Sequence, residues 1–336
     1  MIIGGKDYTK KLFFIVEEGQ FNLGNFDKAL QMIEMVSKTG ANAIEFQLAY
    51  ADDFYIATDG GHSIYKTREF TDEQLKLLIS TTHQIGLHFV ATCLSHKLID
   101  KMALWGADAF NINASDINNP AIVDAVSKTG VPYFISTPLA TKNEIDWVVS
   151  RIIANGGNLN FALLHGQHPM MSGSDHVDLE DTSLGLIESL NTKYKKSIGF
   201  IDHTPYYWMP AVAVAAGAHI VSKHMTLSHV YKGPDHAICL DPFEMTKAIK
   251  LANKVYASKS VKDKELAKGE NLDRTVMRRS IVSAKKITRG EKISNDNILF
   301  KRPGHGISPD RSDLVIGKIA IVDIAEDTII TQEMLN

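Results

Sequence analysis

The sequence has few cysteines, no long apolar run and almost no excess of charge of either sign. Its two cysteines, Cys93 and Cys239, form no CxxC motif, which excludes a disulfide framework and a cysteine zinc site. The most apolar run, Met209–Ala218, is about half as long as a membrane span. Lys6 and Asp7 carry charges where a signal peptide needs an apolar stretch. The net charge of −3 does not favour binding to nucleic acid or to an anionic membrane. We therefore expect a cytoplasmic protein that binds neither nucleic acid nor a membrane.

The chain is long enough, and apolar enough, to bury a sizeable core. It has 336 residues, of which 44% are hydrophobic and 22% are charged. These values are ordinary for a globular protein and argue against disorder. The length exceeds that of one typical domain and suits one large domain followed by a small one.

Short β-branched or aromatic runs alternate with helical patterns over about the first 250 residues. Phe26–Lys38 and Asp72–Ile85 are predicted helices, and Thr71 with Gln74 predicts a capping box at the start of the second. Eight such units predict a (β/α)8 barrel. A doubly wound open sheet is the alternative, disfavoured because no GxGxxG follows the first strand. The predicted strands are Leu12–Val16, Ala43–Gln47, His88–Thr92, Ala109–Asn113, Tyr133–Thr137, Asn160–His165, Ser197–Ile201 and Ala218–Lys223.

The pattern changes near the carboxyl terminus. Residues 257–277 are rich in charge and weakly apolar, which is typical of a linker. From Arg278 onward short strands and turns are predicted, with a weak internal repeat. We therefore predict a barrel over residues 1–256, a linker over 257–277 and a small pseudo-symmetric domain over 278–336. In the repeat, Ile287, Gly290, Ile293 and Ile298 recur as Ile324, Asp327, Ile330 and Leu335.

Polar residues concentrate at the carboxyl ends of the predicted strands, where a barrel of this kind builds its active site. Such residues are otherwise scarce in buried strands, so their concentration predicts a functional site there. The candidates are Glu17, Glu18, Gln47, Thr92, Asn113, Ser115, Asp116, Ser136, Thr137, His165, His168, Asp202, His203, Lys223 and His224.

Two histidines of this set end neighbouring strands. Because adjacent strands lie about 4.8 Å apart, His203 and His224 can reach one divalent metal. Two imidazoles with an oxygen ligand suit manganese, iron, cobalt or zinc. The alternative is that each is a hydrogen-bonded histidine at the barrel rim. Glu17 follows an apolar run, and it either positions or deprotonates a water or forms a salt bridge at the rim.

Two further candidates lie in loops. Asp235 follows Gly233-Pro234 and is either a ligand-binding residue above the barrel mouth or an ordinary turn residue. Arg302 stands in the segment Lys301–Ile307, where its planar, fork-shaped donor suits a carboxylate or another polar ligand. The alternative for Arg302 is an ordinary surface turn.

Four segments occur in an order and at spacings that cover nearly the whole chain: Gly199–Thr204, Gly217–Leu227, Gly233–His236 and Lys301–Ile307. Together they resemble the sialic acid (N-acylneuraminate) synthase family, which includes the legionaminic and pseudaminic acid synthases. Residues 278–336 are similar to the antifreeze-like (SAF, β-clip) domain of that family. The resemblance implies a TIM barrel followed by this small domain.

The resemblance also implies a reaction. It joins phosphoenolpyruvate (PEP) to the open-chain aldehyde of an N-acylated hexosamine, such as N-acetylmannosamine, and yields a nine-carbon acid. The implied cofactor is a divalent metal, manganese (Mn²⁺) ahead of Mg²⁺ or Co²⁺, and the implied assembly is a homodimer that exchanges its SAF domains. The implied roles are metal binding for His203 and His224, water activation for Glu17, phosphate binding for Thr92 and Ser136, and sugar binding for Gln47, Asp116, Asp235 and, from the other subunit, Arg302.

The sequence departs from the family pattern on the phosphate side. Glu45 and Asn111 stand where lysines are usual, and losing two lysines corresponds to roughly 3–6 kcal/mol if the terms add. Three functions stay open: a synthase that binds PEP through other groups, an enzyme with an altered donor or with isomerase or aldolase chemistry, and a non-catalytic sugar-binding homologue. The other departures are Phe21-Asn22, Ala114, His168 and Ile201. The residues that could replace the lysines as PEP ligands are His165, His168 and Lys223.

Overall fold

The protein, described here from a computed structural model, folds into two compact units, Met1–Ser260 and Val261–Asn336. The structure describes residues 1–18, 21–168, 175–231, 235–259 and 263–336. Within these residues, no helix is both long and apolar enough to span a membrane.

A closed barrel of eight parallel strands forms the first unit, and the barrel prediction is confirmed. The strands in chain order are β1 (Ile2–Ile3), β2 (Lys6–Asp7), β3 (Phe13–Glu17), β4 (Ala43–Leu48), β5 (His88–Cys93), β6 (Ala109–Ile112), β7 (Tyr133–Ser136), β8 (Phe161–His165), β9 (Ile198–Asp202) and β10 (Ile220–His224). Strands β3 to β10 follow one another around the barrel, and β10 closes it by pairing with β3. Each of the eight predicted strands lies within two residues of an observed one.

Helices connect the barrel strands. They are α1 (Phe26–Ser37), α2 (Ala51–Phe54), α3 (Gly60–Lys66), α4 (Asp72–Gln84), α5 (His96–Trp105), α6 (Pro120–Lys128), α7 (Lys142–Ala154), α8 (Leu186–Tyr194), α9 (Met209–Ala215) and α10 (Pro242–Ser258). The predicted capping box of Thr71 and Gln74 is present at the start of α4. The last strand starts later than predicted because Ala218 still belongs to the end of α9, where its N–H donates to Ala213 O at 3.0 Å. Helix α10 includes the first two residues of the predicted linker.

Apolar side chains fill the amino-terminal half of the barrel. The β1–β2 hairpin contributes Ile3, which is 1% exposed and packs with the inward side chains of the strands. Tyr8 packs edge-on against Phe13, with ring centroids 4.6 Å apart, and its hydroxyl lies 3.0 Å from His88 Nε2. This end of the barrel is therefore closed, and polar groups gather at the carboxyl ends of the strands.

The second unit contains α11 (Glu270–Met277) and the antiparallel strands β11 (Ser280–Ser283) and β12 (Ile298–Lys301). The predicted repeat is visible in its pairing, because Ile287 and Ile324 exchange two backbone hydrogen bonds of 2.9 and 2.8 Å. The next matched pair, Gly290 and Asp327, both have positive φ, at 88° and 60°. All five repeated isoleucines lie in the core: Ile287, Ile293, Ile298, Ile324 and Ile330.

Candidate functional site

A cavity of about 840 Å³ opens at the carboxyl ends of the barrel strands. This volume lies within the usual range for small-molecule sites. Six of the nine residues to which the resemblance assigns a role line it, namely Glu17, Gln47, Ser136, His203, His224 and Asp235. They come from different strands and from the loops that follow them, as expected when inward positions of parallel strands end at one edge.

His203 and His224 lie side by side in this cavity. Their ring centroids are 5.2 Å apart, and that of His168 is 4.7 Å from that of His203. Burial lowers the pKa of all three rings, so they are neutral at pH 7, which is the form that binds a metal. The Nδ1 atoms of His203 and His224 are buried and have no hydrogen-bond partner within the described part of the chain. Two adjacent imidazole rings, each with a buried nitrogen that has no partner, fit a divalent metal.

A buried ion pair lies on the outer side of these histidines. Lys223 and Asp202 are fully buried, and Nζ lies 3.1 Å from Oδ2. Lys223 also donates to Thr204 O, while the Thr204 N–H donates to Asp202 Oδ1 at 2.8 Å. The pair therefore fixes the backbone on either side of His203.

Two of the three replacement PEP ligands do not line the cavity, and this part of the prediction is wrong. The ammonium of Lys223 is used by the ion pair, and His165 Nε2 lies 3.1 Å from Thr182 O and from Ser183 O. Both residues face outward because their neighbours Leu164 and His224 face inward. His168 is the member of that set that lines the cavity.

Glu17 lies next to His224 in the cavity. Its Oε2 lies 3.6 Å from His224 Nε2, and its Oε1 accepts a hydrogen bond of 2.5 Å from Gln47 Nε2. Burial raises the pKa of Glu17 to about 8, aided by the charge of Asp235 and opposed by the hydrogen bond from Gln47. A carboxyl group that titrates near neutral pH can take up or release a proton during a reaction.

Glu45 joins four neighbouring strands through hydrogen bonds inside the barrel. Its Oε1 accepts from Thr92 Oγ1 at 2.5 Å and from Asn111 Nδ2 at 2.7 Å. Asn111 Oδ1 in turn accepts from Ser136 Oγ at 3.0 Å. We call these four residues the Glu45 network. Burial raises the pKa of Glu45 to about 8, and the charge of Glu17, opposite it in the strand register, acts in the same direction.

The other three residues to which the resemblance assigns a role do not line the cavity. Thr92 lies within the Glu45 network. Asp116 is mostly buried, and its carboxylate accepts hydrogen bonds from Asn119 Nδ2 at 2.8 Å and Ser115 Oγ at 3.3 Å. Arg302 is an exposed residue of the second unit.

The loop that carries Asp235 is described only in part. Asp235 lines the cavity, whereas Gly233 and Pro234 of the predicted turn lie outside the described residues. Asp235 also tends to raise the pKa of His224, although burial lowers it overall.

An aromatic wall, which sequence reasoning did not single out, covers one side of the cavity. It consists of Phe54, Tyr55 and Tyr65, from the segment of α2 and α3, whose ring centroids lie 4.7 to 5.4 Å apart. Ile64 and Arg68 line the cavity beside them. Among the described lining residues, Arg68 is the one with a permanent positive charge. The available signal was the long segment between the second and third predicted strands, with its cluster of aromatic residues.

A second group of possible metal ligands lies away from this cavity. His229, Asp241 and Glu244 form the one triad of donor atoms within 4.8 Å of one another in the described part of the chain. Asp241 and Glu244 form the capping box of α10, and Glu244 Oε2 lies 2.8 Å from His229 Nε2. Helix capping and this ion pair explain the triad without a metal.

Comparisons with known proteins agree over most of the chain. Residues 32–264 match the model of the NeuB family, and residues 278–336 match that of the SAF domain. An uncharacterized protein of Methanocaldococcus jannaschii is 32% identical, over 94% of this chain and 93% of its own. The N,N'-diacetyllegionaminic acid synthase of Campylobacter jejuni is 28% identical, over 96% of this chain and 100% of its own. A crystal structure of N-acetylneuraminic acid synthetase from Leptospira borgpetersenii, in complex with citrate, aligns with a TM-score of 0.71 at 26% identity, covering 81% of this chain and 92% of that one.

Proposed function

The chain belongs to the NeuB family, and from this premise we propose that it condenses PEP with an N-acylated hexosamine to a nine-carbon acid and phosphate. Named relatives such as the Campylobacter enzyme are synthases of acids of this class, which supports the proposal. The observation that carries it is the position of Glu17 beside the His203–His224 pair in one cavity of about 840 Å³. A binding protein has no need of a buried carboxyl group next to two buried imidazole rings whose Nδ1 atoms have no partner among the described residues.

The reaction balances with Glu17 as the group that handles the proton of water. C3 of PEP bonds to the aldehyde carbon of the sugar, and water bonds to C2. The C2–O bond to phosphate then breaks. The proton that water loses to Glu17 balances the one that the new hydroxyl gains. The hydrogen bond from Gln47 holds the Glu17 carboxyl in place for this step.

His203 and His224 would hold the divalent ion, manganese (Mn²⁺) first, which when bound supplies Lewis-acid polarisation of the aldehyde oxygen. The Lys223–Asp202 pair keeps both ligands in position from the outer side of the barrel. The support for this assignment is the pair of buried imidazole nitrogens without partners among the described residues.

We assign the acceptor sugar to the side of the cavity formed by Gln47, Asp235 and the aromatic wall. Aromatic side chains suit the apolar face of a sugar ring and its N-acyl methyl group. Asp116 and Arg302 belong to the same proposal, with Arg302 supplied by the SAF domain of a second subunit in a homodimer.

A donor that lacks phosphate, such as pyruvate, is the second candidate. The Glu45 network favours it, because a buried carboxyl group and three neutral side chains offer little to a phosphate dianion. In that case the carbon–carbon bond would form by an aldol reaction, without phosphate release.

The test is phosphate release from PEP in the presence of manganese and a panel of N-acylated hexosamines, with product masses measured in parallel. Equal amounts of phosphate and of a nine-carbon acid are expected with at least one sugar. The same acid formed from pyruvate but not from PEP would establish the second candidate. No acid from either donor, with metal bound, would contradict both.

A further inference from the structure

One carboxyl oxygen of the Glu45 network has no hydrogen-bond partner among the described residues. Glu45 is 1% exposed, and its Oε2 is buried without a hydrogen-bond partner in the described part of the chain. Its Oε1, by contrast, accepts two hydrogen bonds, which use both lone pairs of that atom. A proton on Glu45 is therefore carried by Oε2, and this O–H donor has no acceptor among the described residues.

The surroundings of Glu45 favour this protonated form. The titratable groups that act on it are Glu17 from β3 and His224 from β10, while β5, β6 and β7 contribute only the neutral members of the network. A carboxyl group next to another carboxyl, with no permanent cation from the described residues around it, keeps its proton at neutral pH.

Glu45 does not itself line the cavity, but three residues next to it do. Glu45 lies opposite Glu17 in the strand register, and Gln47 follows it on the same face of β4. Glu45 also accepts a hydrogen bond from Asn111. Glu17, Gln47 and Asn111 all line the cavity. Asn111 adds a second donor, because one of its two amide hydrogens is used by no described residue. Two neighbouring neutral donors suit a ligand group with two acceptor oxygens.

We propose that Glu45 binds the donor substrate, donating a hydrogen bond from Oε2 to one of its carboxylate oxygens while Asn111 donates to the other. This rests on the proposed function, and it holds for PEP and for pyruvate because both carry the carboxylate. The carboxylate is favoured over phosphate because the donors are neutral and Glu17 is close, which suits a delocalised single charge better than a dianion.

The test is calorimetric titration of pyruvate into the metal-free full-length protein between pH 6.5 and 9, without acceptor sugar. The wild-type affinity is expected to fall as the pH passes about 8, approaching tenfold per pH unit. Glu45→Gln keeps a donor beside an acceptor, so it should bind pyruvate within a few-fold of wild type at pH 7 and lose most of the pH dependence. Glu45→Ala should bind roughly 10- to 100-fold more weakly.

Two controls separate the alternatives. Asp108→Asn, the same acid-to-amide change at the closed end of the barrel, should leave the affinity for pyruvate unchanged. Inorganic phosphate, titrated as a second probe, should bind wild type and Glu45→Ala equally. Loss of phosphate affinity instead of pyruvate affinity in Glu45→Ala would overturn the proposal, as would failure of Glu45→Gln or of wild type to bind pyruvate. Because no turnover is involved, this outcome is independent of whether a condensation product is found.

Discussion

Replacing Glu45 with glutamine should stabilise the barrel, and increasingly so as the pH rises. Burial and the charge of Glu17 raise the pKa of Glu45 from 4.5 to about 8. Between pH 4.5 and about pH 8, Glu45 releases its proton in the unfolded chain and keeps it in the folded chain. The stability associated with the neutral acid is therefore complete below about pH 4.5 and is lost as the pH approaches 8. At about 1.4 kcal/mol per pH unit, the loss is about 3 kcal/mol at pH 7 and about 5 kcal/mol above pH 8.

Glutamine does not titrate. The unfolding free energy of Glu45→Gln should therefore exceed that of wild type by nearly zero at pH 4.5, by about 3 kcal/mol at pH 7 and by about 5 kcal/mol above pH 8. Urea unfolding followed by tryptophan fluorescence measures it, because all three tryptophans, Trp105, Trp147 and Trp208, lie in the first unit and report on the barrel. If the difference in unfolding free energy between Glu45→Gln and wild type is constant from pH 5 to pH 8.5, the pKa of Glu45 is not raised in the folded protein.

Asp108→Asn is the matched control with the opposite sign. Burial favours a higher pKa for Asp108, but hydrogen bonds from His88, the Phe89 N–H and His83 outweigh it and hold the pKa below its usual value. The stability that Asp108 contributes is present above about pH 4 and is lost as the pH falls further. Asp108→Asn should therefore destabilise the barrel at pH 7, where Glu45→Gln stabilises it.

Three further predictions concern the site and its support. His203→Ala or His224→Ala should abolish metal-dependent turnover and lower the bound metal measured by elemental analysis, with an unchanged circular dichroism spectrum; retained turnover would remove the metal assignment. Arg302→Ala should raise KM for the acceptor sugar far more than KM for PEP, and equal effects in steady-state kinetics would contradict the sugar-side assignment. Lys223→Met should cost about 3–5 kcal/mol of unfolding free energy in urea, because Asp202 is left buried and unpaired. A loss below 1 kcal/mol would show that this ion pair does not stabilise the barrel.

The barrel could be predicted from the sequence because its periodicity is local. Each strand is a short apolar run followed by a helix with its own start and stop signals, such as Thr71 with Gln74 at α4 and Gly106, with φ of 97°, after α5. The exception at Ala218 is also local, because its N–H donates to Ala213 O at the carboxyl end of α9 and β10 begins only after it.

Whether each site residue points into or out of the barrel was only partly predictable. Alternation along β10 places His224 inward and therefore Lys223 outward, and the same rule applies to His165 after Leu164. This signal was present in the sequence, and applying it to both strands excludes Lys223 and His165 as ligands in the cavity.

What the sequence could not show is how the polar groups use one another. Thr92 stands at a strand end as predicted, but its hydroxyl donates to Glu45 on the neighbouring strand. Asp116 is held by Asn119 and Ser115 rather than lining the cavity. The aromatic wall depends on the path of the segment between β4 and α4. These contacts join residues that are close only in the folded chain.

The central claim, condensation with water added at C2, is tested most directly with PEP labelled with ¹⁸O in the oxygen that bridges C2 and phosphorus. The protein is incubated with the labelled PEP, manganese and the active hexosamine, and the phosphate and organic products are analysed by mass spectrometry. If the C2–O bond of PEP breaks, the label leaves with phosphate, and the amount of labelled phosphate equals the amount of nine-carbon acid formed. Unlabelled phosphate accompanied by labelled pyruvate would contradict the central claim, because that result means simple hydrolysis at phosphorus.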